Sequence, residues 1–447
     1  MATRKRSNHP GIQSIAIEGY KSLRTRKEIS TPPLTVIAGV NSSGKSSIMQ
    51  PLLLLKQTVD AAYDPGPLQL DGPNVSITSV DQILSRGASA ASRVTSFSVE
   101  LCINNRRTKA KFSRDTNGNL RVAEYTSLFV AGQSEPVTLR EGMTDAALRK
   151  IFSAILKKSE FPESLLKRKE TRLSVVRDRF ALQLGISLHA GDTTARIPLT
   201  LGGTELSSEV SRIIHLPALR GNPKRTYRTA AIEGRYPGTF DTYTAGIISY
   251  WQNNKRVEKL NQLKRDVEEL GLTWKVEARQ LDDTQVELLV GRLPHARQGG
   301  ARDLVNIADV GFGVSQTLPV VVALLAADPG QTVYLEQPEI HLHPRAQLHF
   351  AQLVNRALKR RVRVIIETHS SLLIRAVQTM IARDEMNASD VALHWFTRSR
   401  ATGETEIATA ELSPDGAFGD WPEDFDDVYL GSEAAYLDAA MEKAAKL

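Results

Sequence analysis

Short apolar runs bounded by turn residues recur along the chain and predict buried strands. Leu34-Thr35-Val36-Ile37-Ala38 is the first of these, and a helical run, Ser47 to Leu55, follows it, with Pro51 tolerated only near the first turn. Ser14-Ile15-Ala16-Ile17-Glu18-Gly19-Tyr20 alternates and predicts an earlier strand. Polar and apolar residues alternate again from Val94 to Arg114, as an antiparallel hairpin should. Residues 144–158 and 162–179 read as helices, the first capped at Thr144-Asp145 with Leu148, Ile151, Phe152 and Ile155 on one face. Residues 180–189 return to strand. From Thr242 to Leu270 the pattern is helical but short of a heptad array. Residues 274–291 predict a second hairpin around Asp282-Asp283. A helix–strand–helix–strand series from Gly311 should rejoin the sheet begun at residue 34.

At 447 residues the chain is too long for one simple core, so two lobes or more are expected. Hydrophobic residues make up 41% and charged residues 24%, as in ordinary globular proteins. No window approaches the ~20 apolar residues of a membrane span. The basic N-terminus lacks the apolar stretch of a signal peptide. The single cysteine, Cys102, excludes an internal disulfide and fits a reducing cytoplasm. The net charge of +7 permits, without requiring, contact with DNA or RNA. The basic residues gather at 167–179, 220–235 and 359–363, whereas residues 415–427 are acidic.

Candidate chemistry begins with Gly39-Val40-Asn41-Ser42-Ser43-Gly44-Lys45-Ser46, which fits the pattern Gly-x4-Gly-Lys-[Ser/Thr] between a strand and a helix. Such a turn points backbone N–H groups at phosphates, so it implies a nucleotide such as ATP. Lys45 would reach the β/γ-phosphates, and Ser46 would ligate Mg²⁺. Downstream, Gly311-Phe312-Gly313-Val314-Ser315-Gln316 places small residues and a serine at a helix N-terminus, a second anion site. Thr332 to Glu339 is an apolar strand ending in acids, the form of a Walker B strand. There Glu336 would hold Mg²⁺ through water, and the next position normally polarises the attacking water. Val362 to Ser370 is an apolar strand ending in His369, which would hydrogen-bond the γ-phosphate.

This ordered set resembles the RecF/SMC/OLD branch of ABC-type ATPases. Within it the chain is most similar to compact prokaryotic AAA-family ATPases of anti-phage defence operons, such as PtuA and AriA. The resemblance rests on Ile17 to Leu23, Asn41 in the phosphate loop, the Gly-Phe-Gly-Val-Ser-Gln signature, Glu-Gln-Pro-Glu-Ile-His-Leu-His-Pro at 336–344, Glu-Thr-His-Ser at 367–370 and the segment 419–425. It covers residues 14–55 and 305–425; the middle matches loosely.

The resemblance implies an α/β fold: an ABC-type ATPase head, with a mostly parallel P-loop core sheet and an antiparallel β subdomain, carrying an inserted α-helical lobe. The expected segments are 11–140, 141–300 and 301–447. It further implies that ATP, with Mg²⁺, is sandwiched in a homodimer or higher oligomer, bound by the phosphate loop (Gly39, Asn41, Ser42, Ser43, Gly44, Lys45, Ser46, Ser47) of one copy and by Gly313, Ser315 and Gln316 of the other. Residues 341–344 would be the subunit-contact loop, or the His341/His343 pair could be half of a metal site. Gln82 is the candidate Q-loop metal ligand; its rival, Gln57, reads as a surface residue. Two positions depart from the branch. Glu336 stands where Asp is preferred, and Gln337 where the catalytic Glu usually stands. A glutamine cannot accept a proton from water, so either Glu339 substitutes or hydrolysis is slow, and slow hydrolysis is the favoured expectation.

Three functions fit these readings: a cytoplasmic ATPase regulating a separate effector such as a nuclease or toxin, a RecF-like DNA clamp for repair, or a nucleotide-gated scaffold. A transporter subunit would need a clear Q-loop region, which is not found.

Overall fold

In the computed structural model, residues 10–86, 94–128, 136–156, 171–190, 193–199, 204–229, 234–293, 303–419, 434–438 and 441 are described. The apolar runs assemble into a six-stranded sheet in the order Ile214–Leu216, Thr332–Glu336, Arg363–Glu367, Leu34–Gly39, Val391–Arg398, Thr405–Thr409. All neighbours are parallel except the final hairpin. Continuous apolar strands are what a sheet covered on both faces requires. Successive side chains point to opposite faces, and the core divides accordingly. Leu34, Val36, Val333, Leu335, Val364 and Ile366 pack with the helices Phe312–Ala326, Pro344–Lys359 and Ser371–Ala382. Ile37, Tyr334, Ile365 and Phe396 pack with the helix Lys45–Asp60 and the antiparallel sheet.

That second sheet has six strands, in the order Lys27–Ser30, Ile12–Glu18, Ser96–Ile103, Arg106–Arg114, Leu120–Ser127, Val137–Arg140. Its hairpin turns at Asn104 and Asn105, with φ of 48° and 64°. Positive φ at both central residues matches the right-handed twist of the flanking strands, and Asn tolerates it. Cys102, on the strand Ser96–Ile103 near this turn, is half-buried, its Sγ 3.6 Å from Gln13 Oε1.

The middle of the chain departs from expectation. The helix expected over 162–179 lies partly outside the described residues, and the rest, Thr171–Asp178, is a strand paired with Ala181–Ala190. Alternation in Thr-Arg-Leu-Ser-Val served cross-strand pairing rather than a helical face. The helical stretch 242–270 is two helices, Thr244–Asn253 and Val257–Glu269, broken where Lys255 takes a φ of 50°. Both pack into the same core as Phe312–Ala326, and Ile214–Leu216 is an edge strand of the central sheet. Residues of the middle segment therefore share a core with Leu34, Val36 and the helix Phe312–Ala326. Pro51 sits well inside the helix Lys45–Asp60 rather than near its first turn, so the helix forgoes one backbone hydrogen bond there.

Lys56 on that helix is fully buried. Its ammonium binds Asp60 Oδ2 at 2.8 Å and the carbonyl of Tyr236 at 2.9 Å, tying the helix to the middle segment. Removing one partner of a buried pair leaves an uncompensated charge. Lys56→Met is expected to lower stability by about 3–5 kcal/mol, seen as a lower denaturation midpoint; an unchanged midpoint would refute the brace.

Candidate functional site

The phosphate loop leaves the central sheet at Gly39 and enters its helix at Lys45. Gly39 has a φ of 142°, and a Cβ there would lie 2.1 Å from the Phe396 carbonyl oxygen. Gly44 has a φ of 100°, and its Cβ would lie 2.3 Å from Thr405 Oγ1. Only glycine fits at either point. The helix N-terminus has no side-chain cap, which leaves its N–H dipoles to an anion. Lys45 is buried and folds back on the loop, donating to the carbonyls of Gly39 (3.1 Å) and Val40 (2.8 Å). Burial lowers the pKa of this ammonium, against the pull of Glu367. No carboxylate bonds it, so a polyphosphate suits it.

A cleft of about 810 Å³ opens beside the loop. Asn41, Ser42, Gly44, Lys45, Ser46, Ser47, Gln82, Gln337 and His369 all line it. Gly39 and Ser43 lie behind it, and the buried Ser43 Oγ has no partner. Gln82 bonds both its oxygen and its nitrogen to Thr78, within its own turn. Gln57, read as a surface residue, is buried instead and stitches Gln69 and Val75 to the helix.

The acids are distributed differently from the sequence reading. Glu336 does not line the cleft. Its Oε1 lies 3.1 Å from His215 Nε2 and its Oε2 accepts from Ala218 N at 3.2 Å. Burial pushes this carboxyl up, but His215 and the other donors leave it below the ordinary value. Glu367 lines the cleft in its place. Ser46 Oγ donates to its carboxylate at 3.0 and 3.1 Å, and Tyr334 OH donates to Oε2 at 3.0 Å. Burial, then the nearby Glu336, raises its pKa. The sequence signal for Glu367 was its place at the end of an apolar strand, just before Thr368-His369. Glu339 is buried, its Oε1 held by His369 N at 2.8 Å and its Oε2 without a partner. It also stays out of the cleft, with its pKa raised by burial. Gln337 takes a left-handed φ of 44° and donates its N–H to the Glu367 carbonyl at 2.7 Å.

The signature segment lies elsewhere. None of residues 311–316 lines the cleft. Ser315 Oγ turns back to the Phe312 carbonyl at 3.2 Å. Gln316 Nε2 donates to the carbonyls of Arg220 and Gly221, while the buried Arg220 donates to the carbonyls of Gln316 (3.0 Å) and Glu336 (3.3 Å). A Cβ on Gly313 would approach only the His341 carbonyl, at 3.5 Å, and one on Gly311 would meet nothing. His341 stacks on Phe312, and His343 caps the helix Pro344–Lys359. Among the described residues no group of three His, Cys, Asp or Glu side chains is placed to hold a metal.

Several of the described residues in the basic groups are engaged within the fold. Arg177 pairs with Asp64 and Arg179 donates to the Ala61 carbonyl. Arg225 pairs with Asp309. Arg360 donates to the carbonyls of Leu324 and Leu325, and Arg363 to that of Pro10.

The family described as "AAA domain, putative AbiEii toxin, Type IV TA system" (AAA_21) matches residues 34–375, the span from the phosphate-loop strand into the helix Ser371–Ala382. The chain belongs to the AAA_21 family. Solved structures similar to this AAA_21 chain include an SMC head bound to the C-winged helix domain of ScpA (12% identity, TM-score 0.47, covering 90% of this chain and 98% of that one). Another is the SMC head domain from Thermotoga maritima (14%, 0.40, 90% and 100%). A third is an SMC head with an extended coiled coil bound to the C-terminal domain of ScpA, from Pyrococcus furiosus (11%, 0.47, 90% and 97%). Among curated proteins, none matches the chain. The AAA_21 protein thus carries an AAA domain over residues 34–375, the type of domain expected to bind a nucleotide. No helix among its described residues is long and apolar enough to cross a membrane.

Proposed function

We propose that the chain binds ATP with Mg²⁺ in the cleft, hydrolyses it slowly, and closes on a second copy of itself with the nucleotide between them. The observation that carries this reading is the separation of two anion-binding elements. Lys45, Ser46, Gln337 and His369 converge on one cleft, whereas the Gly311–Gln316 segment lies off it. The N-terminus of the signature helix is open above Gly311, with Phe312 beside it 57% exposed, as a surface awaiting another copy would be.

Within the cleft, Lys45 supplies a cation to the polyphosphate and the helix N-terminus its N–H dipoles. Burial, then the neighbouring Lys45, lowers the pKa of His369, and its imidazole would face the γ-phosphate as a hydrogen-bond donor. A Ser46 hydroxyl beside a carboxylate is a hard-oxygen donor set that fits Mg²⁺, which when bound would neutralise phosphate charge. Slow hydrolysis follows from Gln337 occupying the cleft while Glu339 is held away from it. The ATP-closed pair would then be long-lived and suited to regulating a separate effector, a nuclease or toxin, in a cytoplasmic anti-phage defence system. Support for that setting comes from the motif resemblance and from the family's description, which names a toxin–antitoxin system.

The test is molar mass by light scattering with AMP-PNP and Mg²⁺. The wild type should double its mass, and Ser315→Arg should bind the analogue but remain single. A wild type that saturates with analogue and stays monomeric would overturn the sandwich.

A further inference from the structure

Glu336 and Glu367 end adjacent parallel strands and pair in register, so their side chains share a face of the sheet. They are not equivalent. The strand Arg363–Glu367 lies between Thr332–Glu336 and the phosphate-loop strand, with Glu367 opposite Ile37. Glu367 is therefore one strand spacing, about 4.8 Å, from the strand that leads into the phosphate loop, and Glu336 two, about 10 Å.

The hydrogen bonds follow that offset. Both oxygens of Glu336 are engaged, Oε1 by His215 and Oε2 by Ala218 N, and Asn74 Nδ2 holds the other ring nitrogen of His215 at 3.0 Å. His215 and Tyr334, both buried, stack at 5.5 Å and fix the layer behind the cleft. Tyr334 OH donates to Glu367 Oε2, and Ser46 Oγ lies almost equidistant from the two Glu367 oxygens.

We propose that Glu367, together with Ser46, is the protein's oxygen ligand set for the Mg²⁺ of bound nucleotide, and that Glu336 braces this pair from behind instead of holding the metal. A carboxylate and a hydroxyl are hard oxygen donors, and Mg²⁺ takes one or two such protein ligands with the remainder from phosphate and water. Tyr334, Glu336 and His215 form the outer partners that orient the ligand. This assignment rests on the reading that ATP occupies the cleft.

The experiment measures binding rather than turnover. The full-length chain is titrated with a fluorescent ATP analogue, once in EDTA and once in Mg²⁺, and the ratio of the two affinities is the metal gain. Binding of Mn²⁺ in the presence of ATPγS, read by electron paramagnetic resonance, gives a second measure. Glu367→Gln should bind the analogue in EDTA as the wild type does and lose metal gain by at least roughly tenfold. Glu336→Gln should lose less than Glu367→Gln. Glu367→Asp keeps a carboxylate on a shorter stem and should fall between wild type and Glu367→Gln; it decides the matter if the glutamine variant does not fold. The proposal is overturned if Glu367→Gln, or Glu367→Asp in its stead, retains the full metal gain, or if Glu336→Gln loses more. A wild type that binds no analogue in either buffer would refute the nucleotide reading itself, a distinct outcome.

Discussion

Lys45→Ala is expected to weaken ATP binding by roughly 100-fold or more and to abolish any activity that depends on it. The ammonium is buried within its own loop and now donates to two neutral carbonyls, Gly39 and Val40. Exchanging those neutral acceptors for phosphate oxygens puts charge at both ends of each hydrogen bond, and hydrogen bonds to charged groups are worth about 1.5–3 kcal/mol each. Two such bonds total about 3–6 kcal/mol, and each 1.4 kcal/mol is a factor of about ten in affinity. The fold should survive, because alanine is a strong helix former at this position on the helix Lys45–Asp60. Calorimetric titration with ATP is the direct check. A folded Lys45→Ala protein that binds ATP like the wild type would remove the basis of every functional statement made above.

Gln337→Glu should act in the opposite direction and raise the rate of ATP hydrolysis by about 10²-fold or more, the usual scale of a well-placed general base. The side chain already lines the cleft, and the Glu367 carbonyl fixes its backbone, so the substitution changes chemistry with little change in shape. An amide cannot take a proton from water, whereas a carboxylate can. Glu339→Gln provides the contrast. Its carboxylate is buried and held by the His369 N–H, so single-turnover hydrolysis should change by no more than about twofold to threefold, apart from any loss of stability. If Gln337→Glu leaves the rate unchanged and Glu339→Gln abolishes it, the two roles must be exchanged.

Much of this was legible in the chain. The phosphate loop, the strand before it and the strands ending in Glu336 and Glu367 announce themselves because a doubly covered parallel sheet needs short unbroken apolar runs. The hairpins were legible because alternation and turn residues coincide at Asn104-Asn105 and Asp282-Asp283. The contribution of Glu367 was harder to see. It meets Ser46 across 321 positions of sequence, and which carboxylate reaches the loop depends on the order of strands, a property of the assembled sheet that no local pattern carries. The edge strand Ile214–Leu216 has only three residues, too few to show a period. Thr171–Asp178 was misread because a short run of apolar residues serves either period until a neighbour claims it. Gln57 looked like a surface residue because its polar groups are satisfied by backbone from a loop that the helix pattern does not reveal.

The strand Leu34–Gly39 has consequences for synthesis of the protein. It is made early, yet both its neighbours in the sheet, Arg363–Glu367 and Val391–Arg398, are made last. Until residues 363–367 have been made, this buried apolar strand has neither neighbour to pair with, and contacts of such long sequence separation form slowly. A prematurely released fragment would carry that strand bare, the hallmark of an aggregation-prone intermediate. The nucleotide cradle is therefore complete only once segments as far apart as Ser46 and Glu367, 321 positions in sequence, have met.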